Sequence, residues 1–138
     1  MIAVIDTSAL IRLFIPDGPI PQGLEKFFMG VESGVNTAVA PELMLAEAAS
    51  VLLKKARTGE LSEEEGQQML KDIHGMPVRL FGHTDIIFDA YEIGRQHNLT
   101  VYDALFLALA VRHSAQLFSA DEKMMQAVKA LGLPTGSQ

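Results

Sequence analysis

The sequence predicts an α/β protein, a three-layer α/β/α sandwich around a central, mostly parallel sheet. Short apolar segments alternate along the chain with longer segments whose apolar residues recur at helical spacing. The short segments lack a polar face, which indicates strands covered on both sides. The 138 residues are 49% hydrophobic, enough for one domain with a substantial core. We therefore place a single domain over 1–134 and expect 135–138 to be a frayed tail.

The first four elements are predicted from apolar runs and from the residues that interrupt them. The apolar run over 1–5 reads as a buried strand, and residues 8–14 read as a short helix stopped by the Pro- and Gly-containing loop over 16–19. A second helix has its apolar residues at helical spacing and ends near Gly34. The segment 36–40 is a second strand.

The middle of the chain is predicted to hold two helices and a strand. Pro41 is expected to open the first helix, where its missing N–H costs nothing, and this helix continues through Lys54-Lys55. Ser62 and Glu65 form a capping box for the second helix. That helix ends at Gly75, and Val78–Phe81 is a third strand.

The last third is predicted as three helices and one strand. Thr84 is expected to cap a helix, and 99–102 to be a brief extended link. Residues 103–113 then form a helix that is apolar almost all round and therefore central. A strand over 116–119 follows, and Asp121 starts the last helix, which ends at Leu131-Gly132.

Composition excludes several classes of protein. The chain has no cysteine, which rules out disulfides, thiolate metal sites and a Cys nucleophile. No segment approaches the roughly 18 apolar residues of a membrane span, and no basic region precedes the N-terminal apolar run, as a signal peptide requires. We expect a cytoplasmic protein. The net charge of −6 does not favour nucleic-acid binding, but bound cations would neutralise part of it.

Two aspartates follow apolar strands directly. Asp6 closes the first strand and Asp121 follows the fourth, so both fall at the sheet edge where open parallel sheets bind ligands. Helix N-capping is the alternative for each.

Two further acids lie on or beside apolar helix surfaces. Glu47 has mostly apolar neighbours at three and four residues, and a buried carboxylate is rarely left unpaired. Its alternatives are a metal site or an ion pair with Arg12. Glu42 lies roughly 140° away around the helix and is better explained by the helix dipole. Asp103 begins the central helix, where capping and metal binding can coexist.

The order of these acids resembles the PIN-domain family, in particular the VapC-like toxins of type II toxin–antitoxin pairs. The resemblance spans almost the whole chain and rests on four segments in order: Val4–Leu10, Ala40–Leu52, Thr100–Leu105 and Phe118–Lys123. It places the family's acids on Asp6, Glu47, Asp103 and Asp121, with supporting roles for Thr7, Ser8 and Ser119. Ser50 stands where the family often has Asn, and Ser119 where it often has Thr; Ser119 keeps the hydroxyl.

Four converging carboxylates need a counter-charge. At about 5 Å and an effective dielectric of about 20, each pair costs roughly 3 kcal/mol. Either a carboxylate takes a proton or divalent cations bind. Oxygen ligands select Mg²⁺ or Mn²⁺, and without cysteine or a nearby histidine zinc is disfavoured.

The resemblance implies a Mg²⁺-dependent ribonuclease. We assign Asp6 and Asp121 as direct metal ligands, Asp103 as a direct or water-mediated ligand, and Glu47 to position or deprotonate the nucleophilic water. The family also implies a homodimer and a small antitoxin partner, with DNA bound only indirectly through the antitoxin. The apolar residues proposed for such surfaces, with core as their alternative, are Leu10, Leu13, Phe14, Phe27 and Phe28. The candidate phosphate contacts are Arg12, Lys54, Lys55, Arg57 and Lys123.

Two other functions are compatible with part of this sequence pattern. A phosphatase of the haloacid dehalogenase type also opens with a strand and an Asp, but it needs a second Asp where this chain has Ser8. A catalytically silent interaction domain is the rival from another class, and the four intact acids argue against it.

Overall fold

The structure, a computed structural model, describes residues 1–135, so the predicted tail lies outside the described residues apart from Thr135. In the described chain, two helices separate each strand from the next, and a seventh helix follows the fourth strand. In chain order they are β1 (Ile2–Ile5), α1 (Thr7–Arg12), α2 (Leu24–Glu32), β2 (Thr37–Pro41), α3 (Leu43–Arg57), α4 (Glu63–His74), β3 (Val78–Phe81), α5 (Ile87–His97), α6 (Val101–His113), β4 (Gln116–Phe118) and α7 (Glu122–Ala130).

The four strands form one parallel sheet in the order β3-β2-β1-β4. Val4 of β1 pairs with Val39 of β2 on one side and with Leu117 of β4 on the other, so β1 is an interior strand of the sheet. Successive strand residues point to opposite faces, and Ala3, Val4 and Ile5 are all 0% exposed. Both faces of the sheet are therefore covered, and the predicted three-layer sandwich is confirmed.

The strand order reverses beside β1. The chain proceeds from β1 to β2 to β3 in one direction and then returns past β1 to form β4. With the right-handed crossovers usual for parallel strands, helices α1–α4 lie on one face and α5–α6 on the other. The carboxyl ends of β1 and β4 therefore meet at the switch point, where α/β sheets usually bind ligands.

Helix α6 is the central helix of the second face. It packs on β1, β2 and β4 and on α5. Its residues from Ala104 to Ala110 are all buried, as the apolar run predicted. Leu10, Phe27 and Phe28 are buried too, so the core alternative is correct for them, while Leu13 and Phe14 are partly buried against the same core.

Several predicted boundaries are wrong. Pro41 does not open α3; it ends β2, and α3 begins at Leu43 with Glu42 at its N-cap. Thr84 does not cap α5, whose N-cap is Ile86. The link expected over 99–102 is too long, because Val101 and Tyr102 already belong to α6. The capping box of Ser62 and Glu65 is confirmed. Among residues 1–135, no helix is long and apolar enough to cross a membrane.

Candidate active site

A cavity of about 350 Å³ opens at the switch point, and the four acids singled out in the sequence all line it. They come from four separate parts of the fold: the end of β1, the middle of α3, the first turn of α6 and the start of α7. Thr7, Ser8, Arg12 and Asp17 also line this cavity. The fold thus brings together residues up to 115 positions apart, from Asp6 to Asp121.

Asp6 is held by hydroxyl groups rather than by a helix end. It occupies the N-cap position of α1, but its side chain makes no capping hydrogen bond. Ser8 Oγ and Ser119 Oγ instead donate to Asp6 Oδ2, at 2.9 and 2.7 Å. N-capping by the Asp6 side chain, the alternative considered for it above, is therefore wrong. Both hydroxyls converge on one oxygen, which leaves Oδ1 free of these bonds.

The two serines also fix the loop that carries Asp121. Ser119 Oγ accepts a hydrogen bond from the Asp121 N–H at 3.0 Å, and Ser8 Oγ accepts one from the Ala120 N–H at 2.9 Å. Their supporting positions, expected from the sequence, thus have a specific geometry. Each hydroxyl joins the carboxyl end of β1 to that of β4.

Glu47 faces the cavity from α3 and is half-buried. Thr7 Oγ1 donates to Glu47 Oε1 at 2.7 Å, which ties α3 to the start of α1. The alternative ion pair with Arg12 is not among the salt bridges of the described residues, and the Arg12 guanidinium donates instead to the Pro19 carbonyl. Ser50, one turn beyond Glu47, is exposed and does not line the cavity.

Asp103 and Asp121 occupy two different helix-start positions. Thr100, not Asp103, caps α6, and its hydroxyl accepts the Asp103 N–H at 3.1 Å. Asp103 lies in the first turn, where the helix dipole favours an anion. Asp121 does cap α7, since its Oδ1 accepts the Lys123 N–H at 2.9 Å. Capping is thus wrong for Asp103 and confirmed for Asp121, whose second oxygen remains available.

Three of the four carboxylates have raised pKa values. The pKa of Asp6 is raised from 3.8 to about 6: burial is the largest cause, the hydrogen bonds from the two serine hydroxyls offset part of it, and the charges of Asp103 and Glu47 add to it. Burial also raises the pKa of Glu47, and the hydrogen bond from Thr7 offsets part of this rise. Burial likewise raises the pKa of Asp103, and the negative charge of Asp121 raises it further. The cluster therefore resists full ionisation, as like charges in a desolvated site must.

The donor set fits a hard divalent cation. It consists of carboxylate oxygens, and Asp6, Glu47 and Asp121 each keep one oxygen outside the hydrogen bonds just described. Burial disfavours the ionised forms of Asp6, Glu47 and Asp103 and so raises their pKa values, and a bound cation would offset this by stabilising the ionised forms. Within residues 1–135, no three acidic or histidine side chains are already drawn to ligand spacing. The four carboxylates thus line one cavity, but no three of them lie close enough together to coordinate one ion.

Asp17 is a charged cavity residue that sequence reasoning missed. It lies in the loop after α1, and its carboxylate pairs with Lys55 at 3.0 Å. Lys55 also pairs with Glu60 at 3.0 Å. No periodic pattern marks a loop acid, so Asp17 could be found only once the loop was placed against the cavity. Among the candidate phosphate contacts, only Arg12 lines this cavity in the described chain.

Comparison with known proteins gives consistent matches. The PIN domain family model matches residues 3–130. Ribonuclease VapC3 of Pyrobaculum aerophilum is 29% identical over 133 residues, covering 95% of this chain and 98% of its own. Ribonuclease VapC1 of Mycobacterium tuberculosis is 30% identical over 95 residues, covering 69% and 68%.

Solved structures show the same fold. PAE2754 from Pyrobaculum aerophilum matches with a TM-score of 0.68 at 18% identity, over 94% of this chain and 85% of its own. The crystal structure of VapBC2 from Rickettsia felis, bound to a DNA fragment from their promoter, matches with a TM-score of 0.56 at 17% identity, over 85% of each chain.

Proposed function

The chain belongs to the PIN-domain family, and on that premise we propose that it is a ribonuclease dependent on Mg²⁺ or Mn²⁺. The convergence of Asp6, Glu47, Asp103 and Asp121 on one cavity is the observation that carries the proposal. The relatives named ribonuclease VapC support RNA as the substrate. A phosphatase of the haloacid dehalogenase type does not fit, because Ser8 stands where that chemistry needs a second Asp. The Ser8 hydroxyl is hydrogen-bonded to Asp6 and to the Ala120 N–H.

Each acid has a role that its surroundings support. Asp6 and Asp121 would hold the cation directly through the oxygens that their hydrogen bonds leave free, and Asp103 directly or through water. One metal ion held there would activate a water for attack on the phosphodiester, and a second, where two bind, would stabilise the leaving oxygen. Glu47 would position or deprotonate that water, and its raised pKa brings it closer to the working range of a general base.

The test is metal-dependent RNA cleavage by single variants. Asp6→Asn and Asp103→Asn should each lower the rate by about 100-fold or more, the usual loss for a group that acts in the transition state. Asp89→Asn, an exposed acid on α5, is the matched control and should leave the rate unchanged. Full activity in both site variants would reject the assignment. Calorimetry that detects no Mg²⁺ or Mn²⁺ binding would favour a silent interaction module.

We further propose that the protein is the toxin of a type II toxin–antitoxin pair. The names VapC and VapBC among its relatives support this. The partner would be a small antitoxin, and any DNA binding would belong to that antitoxin. Co-expression with the neighbouring reading frame should relieve growth inhibition and yield a co-purifying complex. Toxicity unaffected by that neighbour would contradict the pairing.

We also propose a cytoplasmic homodimer. Ile87, Phe88 and Tyr91 lie at helical spacing on α5 and are 37%, 85% and 64% exposed, a large apolar stripe for a monomer. Sedimentation should show a dimer for the wild type and a shift towards monomer for Phe88→Ser. The matched substitution Met29→Ser, at an exposed position of α2, should not cause this shift. A wild type that sediments as a monomer at all concentrations would reject the dimer.

A further inference from the structure

Arg12 has an unusual position for a charged side chain. Among the described residues that line the acidic cavity, it is the one cation, and it faces five carboxylates. Within residues 1–135 it nevertheless forms no ion pair: the salt bridges join Lys55 to Asp17 and Glu60, and Arg95 to Glu92. Its positive charge is therefore not neutralised by any single carboxylate.

The guanidinium is held in place by a neutral group instead. Arg12 Nη1 donates to the Pro19 carbonyl at 2.9 Å. A Cβ atom on Gly18 would lie 2.3 Å from Nη1, so the absence of a side chain at this position lets the guanidinium lie against the loop. The same loop is fixed at Asp17 by Lys55. The loop thus orients Arg12 at the cavity while leaving its other N–H donors unused.

A positioned guanidinium beside metal-binding carboxylates suits a phosphate group. Its planar N–H donors match phosphate oxygens in pairs, and it stays charged at every physiological pH. Arginine at a phosphoryl-transfer site stabilises the charge that develops on the phosphate oxygens. We propose that Arg12 binds the phosphate of the RNA backbone at the cleavage site and that the loop over 16–19 orients it for this contact. This inference rests on the proposed ribonuclease function.

The alternative is that Arg12 only braces the loop. The two roles predict different effects of removing the charge of Arg12 and of displacing its guanidinium. If Arg12 only supports the loop, it acts through its hydrogen bond to the Pro19 carbonyl. Substitution of Arg12 should then lower the melting temperature and disturb the cavity as a whole. If Arg12 contacts phosphate, it acts through its positive charge and through the paired N–H donors of its planar guanidinium. Substitution of Arg12 should then weaken the interaction with substrate and leave the metal affinity unchanged.

The experiment measures kcat/KM on a single-stranded RNA over a series of salt concentrations, with Mg²⁺ affinity and melting temperature alongside. Arg12→Gln should lower kcat/KM by about 100-fold. It should also reduce the slope of log kcat/KM against log salt by about 0.7, the value for one phosphate contact on a single strand. Arg12→Lys should restore the slope and only part of the rate, because it keeps the charge without the fork.

Two further variants separate position from charge. Gly18→Ala keeps the arginine but displaces its guanidinium, so its loss should fall between wild type and Arg12→Gln. Arg79→Gln removes an exposed arginine on β3 that lies outside this cavity, and it should leave rate and slope unchanged.

The possible failures are distinguishable. A wild type that neither binds Mg²⁺ nor cleaves RNA would reject the proposed function itself. An active wild type whose Arg12→Gln variant keeps both rate and salt slope would reject only the phosphate contact. Parallel losses of melting temperature, metal affinity and rate in Arg12→Gln would assign Arg12 to the brace and also overturn the inference.

Discussion

The Ser119 hydroxyl donates a 2.7 Å hydrogen bond to Oδ2 of Asp6, across 113 residues of sequence. The same hydroxyl accepts the Asp121 N–H at 3.0 Å. One small side chain thus positions two of the four acids relative to each other. It does so at the junction of β1 and β4, where the sheet's direction of winding reverses.

Removing this hydroxyl should weaken the metal site. Ser119→Ala leaves Asp6 with one donor and the Asp121 N–H without its acceptor, so both carboxylates lose orientation. Groups that orient metal ligands typically contribute 10- to 100-fold to metal affinity or activity, and we expect a loss of about that size. Mg²⁺ titration by calorimetry and the cleavage rate measure it.

The controls separate geometry from fold stability. Ser119→Thr keeps the hydroxyl and should retain most of the affinity. Ser33→Ala removes an exposed hydroxyl whose partner within residues 1–135 is the Gly30 carbonyl, and it should change neither quantity. Wild-type metal affinity in Ser119→Ala would show that the Asp6–Ser119 bond is not needed for the site.

Thr7 should tune the acidity of Glu47. Its hydroxyl donates to Glu47 Oε1, which lowers the pKa of a carboxyl that burial raises. Thr7→Val keeps the shape but removes the donor, so the pKa of Glu47 should rise further. The acid limb of the pH–rate profile should then move to higher pH, while Thr7→Ser should keep the wild-type profile. A profile unmoved in Thr7→Val would mean that Glu47 does not control this limb.

Much of the site follows from local sequence patterns. Three acids fall directly after strands or at helix starts, and parallel strands bring such positions to one edge of the sheet. The strand Val78–Phe81 was predicted with its observed bounds, and the capping box at Ser62 marked a helix start correctly. These features depend on short-range chemistry, which a single sequence displays.

The missed features depend on contacts distant in sequence. Pro41 can open a helix or end a strand, and its pairing with Phe81 in the sheet decides for the strand. Asp6 has the local setting of an N-cap, yet hydroxyls on α1 and after β4 hold its side chain instead. Asp17 gives no signal until its loop is placed beside α3.

The contact between α5 and α6 should be sensitive to one added methyl group. A Cβ on Gly94 would lie 3.0 Å from the Leu99 carbonyl oxygen and 3.7 Å from Ala104 Cβ. Alanine gains about 1 kcal/mol in helix propensity, but overpacking against backbone typically costs about 1–3 kcal/mol. We expect the steric term to win, because the close atom belongs to the backbone just before α6.

Gly94→Ala should therefore lower the free energy of unfolding, measured by urea denaturation, and reduce cleavage through Asp103 on the displaced helix. Gly82→Ala is the matched control, since nothing lies within 4 Å of its added Cβ. A Gly94→Ala protein more stable than the wild type would show that the helices separate at little cost.

Ionisation of Asp6 should make the metal-free protein less stable as pH rises. Its pKa is about 6 in the folded protein against an ordinary 3.8, so the folded state favours the protonated form. The stabilisation is complete below about pH 4 and is lost as pH rises to about 6. A shift of about two units corresponds to about 3 kcal/mol. The raised pKa values of Glu47 and Asp103 act in the same direction.

Urea denaturation at a series of pH values in EDTA measures this loss. Asp6→Asn should flatten the dependence between about pH 4 and pH 6, whereas Asp89→Asn should keep the wild-type slope. Mg²⁺ should reverse the trend in the wild type, because it binds the ionised carboxylates; at 100 times its Kd it adds about 2.7 kcal/mol. Identical pH dependence in wild type and Asp6→Asn would show that Asp6 is not the group that burial holds protonated.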